Sequence, residues 1–170
     1  MSMTTFLLVE DDQNDVALME EQFKKASPDI RFRWVGDGAE AVRYLKGEVE
    51  YADRNKFPIP DVILLDLKMP RFSGFDFLEW LHHRSPDHQR LIPVVVMSSS
   101  TDPKDIRRAY ALGANSYLVK PISWKDSKER VRALGVYWAE HAETPELPPP
   151  HTFEPVETVA VPKRRGHLSQ

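Results

Sequence analysis

Four short runs of consecutive apolar residues constrain this chain more than any other feature: Phe6-Leu7-Leu8-Val9, Val62-Ile63-Leu64-Leu65, Val94-Val95-Val96-Met97 and Tyr117-Leu118-Val119. Each is shorter than an ordinary helix, and none alternates as a strand with one wet face does. Uninterrupted apolar runs suit parallel strands covered by helices on both faces. A fifth segment, Ile30-Arg31-Phe32-Arg33-Trp34, does alternate, as a half-exposed edge strand does.

Helical patterns fill the intervals. Leu18, Met19, Gln22, Phe23 and Ala26 mark one face after the first run. Asp37 and Glu40 have capping-box spacing, ahead of Ala41, Val42 and Leu45. Phe77, Leu78 and Leu81 share a face after the run that ends at Leu65. Asp102, Pro103 and Asp105 open a fourth helix that Gly113 can end. Ser123 and Asp126 open a fifth, which carries Val131, Leu134 and Trp138. Strict alternation of five strands with five helices predicts an α/β fold, a doubly wound five-stranded parallel sheet in the order 2-1-3-4-5.

Composition changes near residue 143. Six prolines fall between Thr144 and Pro162, with few large apolar side chains to offset the entropy of ordering them. Residues 4–142 are therefore read as one domain, and residues 143–170 as a Pro-rich, extended or disordered tail. A net charge of −3 gives no global pull toward nucleic acid or anionic lipid. The basic cluster Lys163-Arg164-Arg165 is too small for a DNA-reading domain. No apolar run has the length of a membrane span, and the first residues lack the pattern of a signal peptide. With no cysteine in the chain, a cytoplasmic protein is expected, without membrane or nucleic-acid partner.

In a sheet of this kind the binding crevice lies beyond the carboxyl ends of the strands. The polar residues that follow the apolar runs are thus the candidates: Glu10, Asp11 and Asp12; Asp66; Ser98, Ser99 and Ser100; Lys120, then Pro121. Converging carboxylates repel one another unless a cation joins them, and an oxygen-only ligand set suits Mg²⁺. An ammonium from Lys120 and a hydroxyl from Ser98 suit phosphoryl oxygens. Together these groups form a phosphoryl-transfer site with a carboxylate nucleophile. Each alone has an ordinary explanation: helix caps for the acids, a strand-end turn for Asp66, a surface lysine for Lys120. Their joint placement at four strand ends is what carries the reading.

The stretches FLLVEDD (6–12), DVILLDLKMPRFSG (61–74), PVVVMSSS (93–100) and ALGANSYLVKP (111–121) resemble the receiver domains of two-component response regulators, over residues 4–140. The resemblance implies the flavodoxin-like (βα)5 receiver fold. It implies Asp66 as phospho-acceptor and a Mg²⁺ site made by Glu10, Asp11, Asp66 and the backbone carbonyl of Lys68. It makes Ser98 the switch hydroxyl, Tyr117 the switch aromatic and Lys120 the lysine that contacts the phosphoryl group. Pro121 and Gly74 take structural roles, Pro121 often after a cis bond in this family and Gly74 at the turn after Asp66. Lys68 and Ser100 flank the site at positions that in this family influence how water reaches the acyl phosphate, so the resemblance implies an effect of Lys68 on the phosphoryl lifetime.

Glu10 stands where aspartate is more usual, and residues 46–60 form a longer connection than the minimal one. That loop, with the aromatic end Val136-Tyr137-Trp138, resembles small regulators that partner phytochrome-type sensor histidine kinases. The expected protein is a single-domain, non-enzymatic regulator that accepts a phosphoryl group and changes a protein-binding surface. Trp124, Tyr137 and Trp138 are candidates for a homodimer or partner surface, and PELPPP (145–150) for a docking strand. The alternatives are a pseudo-receiver that binds without phosphorylation and a Mg²⁺-dependent phosphohydrolase. The latter needs a second acid two residues after Asp66, where this chain has Lys68.

Overall fold

The computed structural model describes residues 3–120 and 124–147, without the side chains of residues 124–127. Five parallel strands, β1 (Thr4–Val9), β2 (Ile30–Val35), β3 (Val62–Leu65), β4 (Val94–Ser98) and β5 (Ser116–Val119), form one sheet in the order β2-β1-β3-β4-β5. The helices α1 (Gln13–Ala26), α2 (Gly38–Lys46), α3 (Gly74–His83), α4 (Pro103–Ala111) and α5 (Trp124–Val136) alternate with them. No helix among the described residues is long and apolar enough to cross a membrane.

The apolar runs are continuous because alternate residues enter two different cores. Leu7, Val9, Ile63, Leu65, Val94 and Val96 face one way, onto α2 and α3 through Ala41, Tyr44, Leu45, Phe77, Leu78 and Leu81. Phe6, Leu8, Val62, Leu64, Val95 and Met97 face the other, onto α1 and α5 through Val16, Met19, Phe23 and Val131. The run at β5 is the exception. β5 closes the sheet opposite β2, so its residues are only partly covered and Val119 is exposed.

The helix starts follow local chemistry. The side chain of Asp12 accepts from the Asn14 amide at α1, and that of Asp102 from the Lys104 amide at α4. Ser73 and Asp76 form a complete capping box at α3. At α2 only half of the expected box is present: Asp37 accepts from the Glu40 amide, but the Glu40 carboxylate turns to the Gly36 amide and the Tyr51 hydroxyl. The long connection after α2 folds back for the same kind of reason. Arg54 donates to the carbonyls of Tyr44 and Leu45 in the last turn of α2, and to that of Phe57 in the connection itself.

After α5 the chain makes a π-helical turn, Tyr137–His141. Trp138 packs against the core on the α1 side, whereas Leu147 packs against the opposite one. Residues 142–147 therefore cross the foot of the sheet near Met3, Ile59 and Asp61. Tyr137 stays 53% exposed. The PELPPP stretch is described only as far as Leu147, and Pro121 and the side chain of Trp124 lie outside the described residues.

Candidate functional site

Parallel strands deliver the residues that follow them to one edge of the sheet, and here that edge gathers acids around a lysine. Glu10 leaves β1 at 1% exposure and Asp66 leaves β3 at 5%. Their backbone amides still belong to the ladder, donating to the carbonyls of Val35 and Val9. Glu10, Asp11 and Asp66 each offer a carboxylate oxygen within 4.8 Å of the others. Asp12 stands outside this group as the cap of α1, and its amide donates to Glu10 Oε1 at 3.1 Å.

Lys120 enters from the end of β5, where its amide donates to the Ser98 carbonyl at 2.8 Å. Its Nζ lies 2.5 Å from Glu10 Oε2, 2.9 Å from Asp15 Oδ2 and 3.7 Å from Asp66 Oδ2. Ser98 is fully buried, and its hydroxyl oxygen accepts from the Ser100 amide at 3.2 Å. The Tyr117 ring is partly buried against the core, and its hydroxyl donates to the Ser100 carbonyl at 3.0 Å. Asp105 accepts from the Ser100 hydroxyl at 2.6 Å, which ties the start of α4 to the end of β4.

Gly74 sits where the loop after Asp66 doubles back. Its amide donates to the Leu67 carbonyl, and a Cβ there would come within 2.2 Å of the Asp66 carbonyl oxygen. The amides of Leu67 and Lys68 bond to the Asp66 carboxylate, while the Lys68 side chain points to solvent.

The charges do not balance. Burial pushes the Glu10 carboxyl up to about 7, although the Lys120 ammonium pulls it down. Burial also raises Asp66, against the charge of Lys120 and the bonds from the Lys68 and Leu67 amides. Lys120 itself is held above its ordinary value: its burial acts the other way, but the carboxylates of Asp66, Glu10 and Asp15 outweigh it. One ammonium shared by several buried carboxylates leaves negative charge in excess. A divalent cation with oxygen ligands completes such a site, and the three converging carboxylates fit one.

A consequence can be measured on the cation-free protein. The Glu10 pKa of about 7 lies above its ordinary value of 4.5, so the folded state holds this proton more tightly than the unfolded chain. Stability is then expected to fall as pH rises from 4.5 through 7, with the loss complete above that. The raised Asp66 acts in the same direction. The Glu10 shift corresponds to a loss on the order of 3 kcal/mol. Urea unfolding at pH 5 and pH 8 in EDTA should show this fall, and saturating Mg²⁺ should abolish it at pH 8. Equal midpoints at both pH values in EDTA would contradict the charge excess.

The site residues expected from sequence fall at one edge wherever they are described. Two further participants escaped sequence reasoning. Asp15 reaches Lys120 from the first turn of α1, three residues after the Asp12 cap. Trp34 donates its indole N–H to the Glu10 carbonyl at 2.7 Å from the end of β2. The spacing of Asp15 was a usable signal; nothing in the sequence pairs Trp34 with Glu10.

The family model of the response regulator receiver domain matches residues 6–132. The chain belongs to the response regulator receiver family. Response regulator Rcp1 from Synechocystis sp. is 34% identical over 139 residues, covering 82% of this chain and 91% of that protein. A Mn²⁺-bound structure of Rcp1 superposes with a TM-score of 0.75, covering 84% of this chain and 99% of that one. The phosphorylated cyanobacterial phytochrome response regulator RcpA is 32% identical, with a TM-score of 0.77 over 85% of this chain and 100% of that one. RPA3017, a response regulator in red light signalling of R. palustris, is 36% identical with a TM-score of 0.75, over 84% and 99%. The chain is thus a phosphoryl-accepting receiver of two-component signalling, homologous to phytochrome response regulators and carrying an acidic cluster that fits a divalent cation. Receivers interact with histidine kinases and are in the main not enzymes.

Proposed function

We propose that Asp66 is the phospho-acceptor of a single-domain regulator, with Mg²⁺ held by Glu10, Asp11, Asp66 and the backbone carbonyl of Lys68. The observation that carries this reading is the Asp66 carboxylate, nearly buried at the end of β3, with two acids and the Lys120 ammonium converging on it. The partner is a sensor histidine kinase of the phytochrome type. A carboxylate oxygen of Asp66 attacks the phosphorus of the kinase phosphohistidine. A P–O bond forms, the P–N bond breaks, and the imidazole nitrogen leaves with the electron pair. When bound, Mg²⁺ at Glu10, Asp11, Asp66 and the Lys68 carbonyl would supply neutralisation of the charge that develops in the transfer. Lys120 contributes an ammonium 3.7 Å from the Asp66 carboxylate, and Ser98 a hydroxyl that donates to the acyl phosphate.

The new charge draws Ser98 toward Asp66, which loosens its contact with the Ser100 amide. Tyr117 bonds to the next carbonyl along, that of Ser100, so the movement is passed to β5 and the start of α4. This is a population shift between two packings of one face. The exposed Tyr110, Val119 and Tyr137 on that side support it as the output surface, through which the protein forms a homodimer. Lys68, exposed beside Asp66, influences the phosphoryl lifetime. The regulator acts in the cytoplasm without nucleic-acid or membrane partner, and its only reactions are self-phosphorylation and autodephosphorylation. Its folded domain runs on past residue 142 to Leu147, since Leu147 packs against the core, and the Pro-rich stretch after it lies outside the described residues.

Intact-protein mass after incubation with acetyl phosphate tests the reading. One phosphoryl group is expected with Mg²⁺ and none in EDTA. No gain from either acetyl phosphate or a cognate kinase would leave a phosphorylation-independent binding module.

A further inference from the structure

The ammonium of Lys120 has three N–H groups. One goes to Glu10 at 2.5 Å and one to Asp15 at 2.9 Å, while Asp66 at 3.7 Å is beyond hydrogen-bond reach. The two bonded carboxylates are not equivalent. Glu10 belongs to the cluster that converges for a cation, together with Asp11 and Asp66. Asp15 does not: it faces the lysine from the first turn of α1, its side chain only 14% exposed.

We propose that Asp15 is a positioning residue for phosphoryl transfer: it is the partner that Lys120 keeps when a cation draws Glu10 away, and it holds the ammonium where its free N–H groups face Asp66. The proposal rests on the reading of Lys120 as the phosphoryl-contacting cation. A lysine head on a four-carbon stem has many positions open to it, and a single rigid acceptor on a helix removes most of them. α1 is such a support, because its start is fixed by the Asp12 cap and its body is packed through Val16, Met19 and Phe23. The bland account of Asp15 is an acid placed near a helix N-terminus, where the dipole favours it. That account predicts an effect on stability alone.

Two measurements on the full chain separate the accounts. The first is the ¹H–¹⁵Nζ resonance of Lys120, assigned by its absence in Lys120→Arg. With Mg²⁺ present it should be visible in the wild type and broadened away by solvent exchange in Asp15→Ala. The second is the rate of phosphoryl uptake from acetyl phosphate at saturating Mg²⁺, so that cation affinity does not enter. It should fall by about tenfold or more in Asp15→Ala, since misplacing a catalytic group by about an ångström carries losses of that order or larger. Asp15→Glu should recover part of the rate, and Asp15→Asn, which keeps the size without the charge, should not. If Asp15→Ala fails to fold, Asp15→Asn decides on the same two readouts. An unchanged Lys120 resonance, or an unchanged uptake rate at saturating Mg²⁺, overturns the proposal. Should the wild type take up no phosphoryl group at all, the functional reading fails, while the ammonium resonance still tells whether Asp15 holds Lys120.

Discussion

Replacing Asp66 by asparagine is expected to abolish phosphoryl uptake and, at the same time, to make the cation-free protein more stable. The two effects share one cause. Asp66 stands in a place that penalises its charge: burial raises its pKa, and Asp11 adds repulsion. An asparagine of the same shape removes that charge, and its oxygen still accepts a backbone N–H from Leu67 or Lys68. The gain should appear in EDTA as a higher urea midpoint, from relief of repulsion and desolvation. The amide is not a nucleophile toward phosphorus, so uptake from acetyl phosphate should drop below detection. Mass spectrometry and urea unfolding on the same sample read both quantities. Uptake retained in Asp66→Asn would move the acceptor to Glu10 or Asp11. Lost uptake with lowered stability would mean that the buried charge is better compensated than the geometry indicates.

Gly74→Ala should be the most damaging single-atom addition near the site. The new Cβ would lie 2.2 Å from the Asp66 carbonyl oxygen and 2.8 Å from the Leu67 Cα. Both are backbone atoms, so no side-chain rotation relieves the contact. Either the start of α3 moves away from the sheet or the loop after Asp66 is pushed out of shape. Overpacking of this kind costs on the order of 3 kcal/mol, equivalent to a fall of roughly 6–12 °C in the melting midpoint of a domain this size. Because the displaced loop carries the Leu67 and Lys68 amides that bond to Asp66, Mg²⁺ affinity and uptake should fall as well. A variant that melts like the wild type and binds Mg²⁺ normally would show that the turn has more room than its backbone allows.

The sheet order and the acidic edge were legible in the chain itself, for a reason particular to this architecture. A parallel strand covered on both faces must be apolar throughout, so its length and its end are written as a run and the polar residue that stops it. Glu10, Asp66, Ser98 and Lys120 are those stops, and parallel pairing carries all of them to one edge. Local sequence also set the caps at Asp12, Ser73 and Asp102, because a cap bonds within three residues of itself.

What tertiary structure decided are contacts between elements far apart in the chain. Asp15 meets Lys120 across 105 positions, and Trp34 meets the Glu10 carbonyl across 24. Both depend on how α1 and β2 lie against the rest of the sheet. Glu40 left its expected box because Tyr51, brought in by the long connection, competes for its carboxylate. The run at β5 gave no hint of its exposure, since the same apolar letters serve a central strand and one at the edge of the sheet. Leu147, in a stretch whose prolines read as tail, joins the core only because the chain has first crossed the foot of the sheet. Composition reports what a segment can bury on average; which surface it reaches is set by the path of the folded backbone.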